Sequence, residues 1–133
     1  MTVTNSGMFT TNDNVNLVVG NDFVQNGTGN STIGGNITST NDGIDFSTNV
    51  TLDGTDGETL TFQSGEGDGD DITLQGNLSS NADEDILFDA GELGDISVDG
   101  TTNVGIGNVT ITDAHTVLFT GKVTADNLSL IHI

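Results

Sequence analysis

Seven short stretches of this chain read apolar-x-apolar, and each is preceded by Gly, Asn, Asp or Thr. They are Ile44-Asp45-Phe46, Leu60-Thr61-Phe62, Ile72-Thr73-Leu74, Ile86-Leu87-Phe88, Ile96-Ser97-Val98, Val109-Thr110-Ile111 and Val117-Leu118-Phe119, recurring every 8 to 16 residues. Alternation with a period of two sends side chains to opposite faces of an extended strand. A three-residue strand cannot bury its apolar face alone, so the pieces must stack. Taking every second stretch, the starts are 28, 26, 24, 23 and 21 residues apart. Those intervals fit one coil of a parallel β-helix, whose two or three short strands lie about 4.8 Å above their counterparts in the previous coil. The expected fold is therefore all-β, a right-handed parallel β-helix (solenoid) fragment. The alternatives are an antiparallel β-sandwich, which predicts pairing between consecutive strands, and a disordered chain.

The inward set is Ile72, Leu74, Ile86, Phe88, Ile96, Val98, Val109, Ile111, Val117 and Phe119. Asp45, Thr61, Thr73, Ser97 and Thr110 take the outward positions. Leu87 and Leu118 break the alternation and are expected to face a covering loop or a neighbouring module. No helix is expected; Ser80 to Glu84 offers one helical turn at most. The turns rest on Gly, Asn and Asp, since the chain has nineteen Gly and no Pro.

Three regions follow. Residues 1–43 are an irregular Gly/Asn/Thr-rich segment, first coils or a cap. It holds the strand-like Val15-Asn16-Leu17-Val18-Val19 and the shorter Phe23-Val24. Within it, Asn26 to Thr40 reads either as loose turns or as narrow rungs with small residues inside. Residues 44–127 are the β-solenoid coils. Residues 128–133, Leu-Ser-Leu-Ile-His-Ile, are what one frame of a sequencing-library transposon end, CTGTCTCTTATACACATC, encodes. Adapter read-through is the expectation there, at least for Ile131 to Ile133, with a genuine terminal strand as the alternative.

Twenty acidic residues face one base, Lys122, for a formal net charge of -19. Without cations to displace phosphate counterions, nucleic-acid binding is excluded, and so is attachment to an anionic membrane surface. No stretch is long and apolar enough to insert into a membrane. Such self-repulsion favours a hydrated surface and a medium rich in salt or divalent ions. The absence of Cys excludes disulfides and thiolate metal sites.

Asp71-Ile72-Thr73-Leu74-Gln75-Gly76-Asn77-Leu78, Gly94-Asp95-Ile96-Ser97-Val98 and the run from Val117 to Leu128 resemble the coils of very large bacterial surface proteins. These are the filamentous-haemagglutinin-like and autotransporter-like β-helical adhesins, with phrases of the form G-D-I-T-F-x-G-x-V-T-A-x-x-L. The resemblance covers roughly residues 44 to 128. It implies an extracellular or bacterial cell-surface location and a stalk-forming segment. Its partners would be neighbouring repeats of the same chain and a host-cell or matrix glycan or protein.

Chemistry is sparse. The chain offers His115 and His132, one Lys, and no Arg, Cys or Tyr. The adjacent pair Asp70-Asp71 lacks the basic and His partners that orient water in carboxylate hydrolases. His115 reads as a turn residue ahead of a strand. No cofactor is called for, and calcium is the candidate ion. Gly65-Glu66-Gly67-Asp68-Gly69-Asp70-Asp71-Ile72 resembles the Gly-Asp calcium turns of nonapeptide β-rolls, which makes Asp68, Asp70 and Asp71 the candidate metal ligands. The other reading of this loop is a solvated acidic turn. A second acidic turn is Asp83-Glu84-Asp85.

Asn-x-Ser/Thr triplets at Asn26, Asn30, Asn36, Asn49, Asn77, Asn108 and Asn127 follow from composition. The Thr-x-Thr pairs Thr2/Thr4, Thr38/Thr40, Thr59/Thr61 and Thr110/Thr112 do not recur at coil spacing, so they form no ladder. The expected function is a non-catalytic stalk segment of a large secreted or surface repetitive protein. The runner-up is an acidic calcium-binding matrix or surface-layer module. A polysaccharide-active enzyme and an ice-binding solenoid are further alternatives.

Overall fold

The computed structural model describes residues 1–105 and 107–133. Three short strands make each of six coils. The first coil holds β1 (Thr2–Val3), β2 (Phe9–Thr11) and β3 (Leu17–Val19), and the second β4 (Phe23–Gln25), β5 (Ser31–Ile33) and β6 (Ile37–Ser39). The third holds β7 (Ile44–Phe46), β8 (Val50–Leu52) and β9 (Thr59–Gln63), and the fourth β10 (Ile72–Leu74), β11 (Leu78–Ser80) and β12 (Asp85–Asp89). The fifth holds β13 (Asp95–Val98), β14 (Thr102–Asn103) and β15 (Val109–Asp113), and the sixth β16 (Thr116–Phe119), β17 (Val123–Thr124) and β18 (Leu128–Leu130).

Each strand pairs, always in parallel, with the strand three places further on, giving three six-stranded sheets. The first begins with β1, the second with β2 and the third with β3. No consecutive strands pair among the described residues, so the fold is a parallel β-solenoid and the antiparallel sandwich is excluded. The register reproduces the spacing read from sequence. Ile44, Ile72, Ile96 and Val117 stack in the first sheet, and Leu60, Ile86 and Val109 in the third. The seven stretches thus alternate between two sheets.

The second sheet carries weaker patterns. Its inward column runs Phe9, Ser31, Val50, Leu78, Thr102 and Val123, mixing hydroxyls with apolar groups. Asn26 to Thr40 contains β5 and β6. There Ile33 and Ile37 are fully buried beside Ser31, Ser39, Gly34 and Gly35, so the rung is narrow because its interior is small.

One core runs the length of the coils. Eight of the ten expected inward residues are buried; Val117 and Phe119, in the last coil, are half-covered. The rings of Phe9, Phe23, Phe46, Phe62 and Phe88 follow one another at centroid distances of 5.9, 5.1, 5.8 and 5.9 Å. Leu87 lies half-buried between Thr61 and Thr110 on the outward face. Leu118 is 54% exposed, with no loop folded over it among the described residues.

The Asn-x-Thr/Ser triplets have a structural task. Asn36, Asn49 and Asn77 each stand just before a strand, and each Oδ1 accepts the backbone amide of the coil above. The donors are Thr61 (2.8 Å), Asn77 (2.9 Å) and Thr101 (2.9 Å). At such a corner the chain leaves the sheet, and the side-chain oxygen satisfies an amide that would otherwise lack a partner.

Candidate cation-binding corner

The corner between the third and first sheets gathers Glu66, Asp89, Glu92 and Asp113 around one hollow. It is built from the turns that follow β9, β12 and β15. After β9 the chain makes an eight-residue excursion, Ser64 to Asp71, made possible by Gly65, Gly67 and Gly69. Gly69 has φ of +90°, a backbone region that L side chains resist. A β-carbon at position 65 would lie 2.1 Å from Asp70 Oδ2, so a larger residue there would push the Asp70 carboxylate out of its place in the loop.

The three predicted ligands take up different tasks. Asp70 folds back into its own loop: its Oδ2 accepts the Gly67 amide at 2.8 Å, its amide donates to the Gly67 carbonyl at 3.2 Å, and its carbonyl accepts the Ser64 hydroxyl at 2.5 Å. Asp71 joins coils, its Oδ1 accepting the Asp95 amide and its carbonyl the Ile44 amide, both at 2.8 Å. Asp68 is exposed at the tip of the loop. Their sequence adjacency does not aim them at one point. The consecutive pair Asp70-Asp71 likewise splits between the loop and the next coil.

Two hollows flank this loop and share Glu66. One, of about 450 Å³, is lined by Thr38, Ser39, Thr40, Asn41 and Gln63 together with the loop from Ser64 to Gly67 and Asp70. The other, of about 250 Å³, is lined by Glu66, Asp89, Gly91, Glu92, Leu93 and Asp113. Asp89 and Asp113 are register partners, next to a bulge at Phe88/Asp89. Asp89 accepts Gln63 Nε2 at 3.3 Å and the Gly91 amide at 3.2 Å. Asp113 Oδ1 lies 2.9 Å from His132 Nδ1.

Among the described residues, Glu92, Asp113 and His132 form the group whose ligand atoms all lie within 4.8 Å of one another. Carboxylate oxygens suit a hard cation such as calcium, and the imidazole widens the range toward transition metals. The turn motif drew attention to Asp68, Asp70 and Asp71. Asp89 and Asp113 could have been found only from the coil register together with its bulge, since β12 and β15 pair residues 23 apart up to Phe88 and 24 apart at Asp89.

The first sheet carries its own acids. Asp95 accepts the Thr116 hydroxyl at 2.7 Å and faces His115 Nδ1 at 3.2 Å. These contacts, the Thr116 hydrogen bond foremost, hold its carboxyl below the usual range. His115 sits in the turn ahead of β16, its amide donating to the Gly94 carbonyl. Asp45 is shifted the other way: burial, followed by the charges of Asp22 and Asp71, raises its carboxyl against a lowering hydrogen bond from Thr73. In comparison with known proteins, no family model, no curated protein and no solved structure matches the chain.

Proposed function

We propose that this chain is a non-catalytic, stalk-type segment of a large secreted or cell-surface repetitive protein of the adhesin kind. The observation that supports the reading is the state of the two end coils. Val3, Phe9 and Leu17 in the first coil, and Val117, Phe119 and Ala125 in the last, pack against the core yet stay partly uncovered. A further coil of the same kind at either end would bury them, as stacking already does inside. Function is then mechanical. In-register strands give length and stiffness, and the acidic surface keeps adjacent stalks apart. Partners along the axis are other coils, and the location is extracellular.

The test is a head-to-tail tandem of two copies joined in coil register. One cooperative melting transition at a higher temperature, with the maximum dimension in X-ray scattering doubled, is the expected result. Two independent transitions at the single-copy temperature defeat the reading.

A second reading, an acidic calcium-binding matrix or surface-layer module, is favoured by the hollow lined by Glu66, Asp89, Glu92 and Asp113. Calorimetric titration with calcium separates its versions. Heat lost in Asp113→Asn but kept in Asp70→Asn puts the ion in the hollow, and the reverse puts it in the glycine-rich loop. No heat in the unaltered chain removes this reading.

A further inference from the structure

The second sheet differs from the other two in what it shows the solvent. Its central outward column runs Thr10, Thr32, Thr51, Ser79, Asn103 and Thr124, each in register with the next. A second column, one alternation earlier along each strand, holds the exposed Met8, Asn30, Asn49, Asn77, Thr101 and Lys122. Neither column contains a carboxylate. The first sheet, by contrast, turns Asp45, Asp71 and Asp95 outward, and the third turns Asp85, Asp89 and Asp113. Asp53, at the rim of the second sheet, is tied to Asn81 Nδ2 at 2.8 Å.

The array is also held in place. Thr51 and Ser79 hydroxyls lie 3.2 Å apart across the coil boundary. Asn49 and Asn77 are fixed by the amides of the coil above, and the Thr101 hydroxyl donates to Asn77 Oδ1 at 3.1 Å. Met8, 68% exposed, sets its sulfur against the Thr32 hydroxyl. Stacking repeats these groups at about 4.8 Å over six coils, a row about 24 Å long.

A row of hydroxyl and amide groups, uncharged along its central column and without concavity, has nothing to close around a single solute. Sugar polymers would need an aromatic platform, and this face has none. Ionic surfaces would need the charges that lie on the other two sheets. What matches a repeating row is a ligand that itself repeats at that interval and bonds equally well to hydroxyl and amide groups. Rows of water oxygens in ice do both. We propose that the outward face of the second sheet binds ice, with the Thr10–Thr124 column as its centre and the Asn30–Thr101 column beside it.

Growth of single ice crystals in a solution of the chain, followed by nanolitre cryoscopy, tests the proposal. Faceted crystals and a gap between melting and freezing points are expected. Thr51→Tyr, which lifts a ring over the middle of the row, should abolish the gap. Thr73→Tyr, at the matching outward position of the first sheet, should keep it. Circular-dichroism melts establish that both variants fold, and Thr32→Lys replaces Thr51→Tyr if that variant does not. No gap in the unaltered chain, or equal loss in Thr73→Tyr, overturns the proposal. So does a sedimenting dimer that Thr51→Tyr dissolves without any gap having been seen, because the occupant is then a second copy.

Discussion

Ser80 and Glu84 close a turn on each other. The Ser80 hydroxyl donates to the Glu84 carboxylate, and the Glu84 amide donates back to Ser80 Oγ at 2.9 Å. Glu84 Oε2 also accepts the Ala82 amide at 3.1 Å, while the side chain is fully buried and Oε1 has no hydrogen-bond partner. The segment is therefore a turn fastened by side chains, with no helix in it.

Ser80→Ala is expected to destabilise the fold by about 1–3 kcal/mol, because it strips a donor from a carboxylate that water does not reach. Chemical denaturation of the variant beside the unaltered chain measures it. A change inside about 0.5 kcal/mol would show that the turn holds without this bond.

Phe88 is fully buried and meets the Phe62 ring edge-on at 79°. Phe88→Ala should cost about 3–5 kcal/mol, the range for emptying an aromatic site in a packed core. Leu118→Ala, one residue from Phe119 but on the outward side, should stay within about 0.5 kcal/mol. Urea unfolding of the pair reads the inside–outside alternation directly.

Asp45 carries a pH signature. Its folded-state pKa lies above the ordinary 3.8, so between the two values the folded chain keeps a proton that the unfolded chain has released. Above the raised value the buried charge opposes folding. Asp45→Asn should therefore raise the melting temperature near neutral pH, and the advantage should fade as pH falls through the raised value toward 3.8. Asp95, held below the ordinary value, runs oppositely: its contribution is present above 3.8 and is lost as pH falls through its lower folded value. Thermal melts across acid pH distinguish the two.

With a net charge of -19 and only Lys122 to offset it, self-repulsion works against the coiled state. Added sodium chloride should raise the melting temperature by screening, most steeply where the Debye length is long. A melting temperature indifferent to ionic strength would mean that the carboxylates are already spread far enough apart.

The coil length was readable because, from Ile44 onward, two of the three sheets keep large apolar residues at both inward positions, as in Ile72/Leu74 and Ile86/Phe88. The second sheet was hard to see because Ser31, Ser80 and Thr102 sit inward where a pattern search expects Ile or Val. In a narrow rung, small hydroxyl residues fill the space that a methyl-rich side chain would overfill. Gln25 is the extreme case. It is fully buried, yet its amide reaches Asn5 and the carbonyls of Gly27 and Gly29, a network no local pattern announces.

The corner hollow was partly legible. The glycines marked the loop, but Asp89 and Asp113 meet only through pairing of coils, and the bulge at Phe88/Asp89 moves them one residue off the 23-residue interval that the strands Ile86–Phe88 and Val109–Ile111 show. The Asn-x-Thr/Ser triplets carried a real signal that composition concealed: Asn49 and Asn77 repeat because each coil needs an acceptor for the amide above it.

Strands in substantial contact are always three apart in chain order, so the sheets tie each coil to the one before and the one after, although the Thr55 hydroxyl also reaches two coils back, donating to Asp13 Oδ2 at 2.8 Å. Removing or duplicating the stretch from Ile72 to Asp95 would rejoin surfaces that already match. Layers of this kind can be added or taken away whole while the strand pairing inside the remaining coils keeps its register.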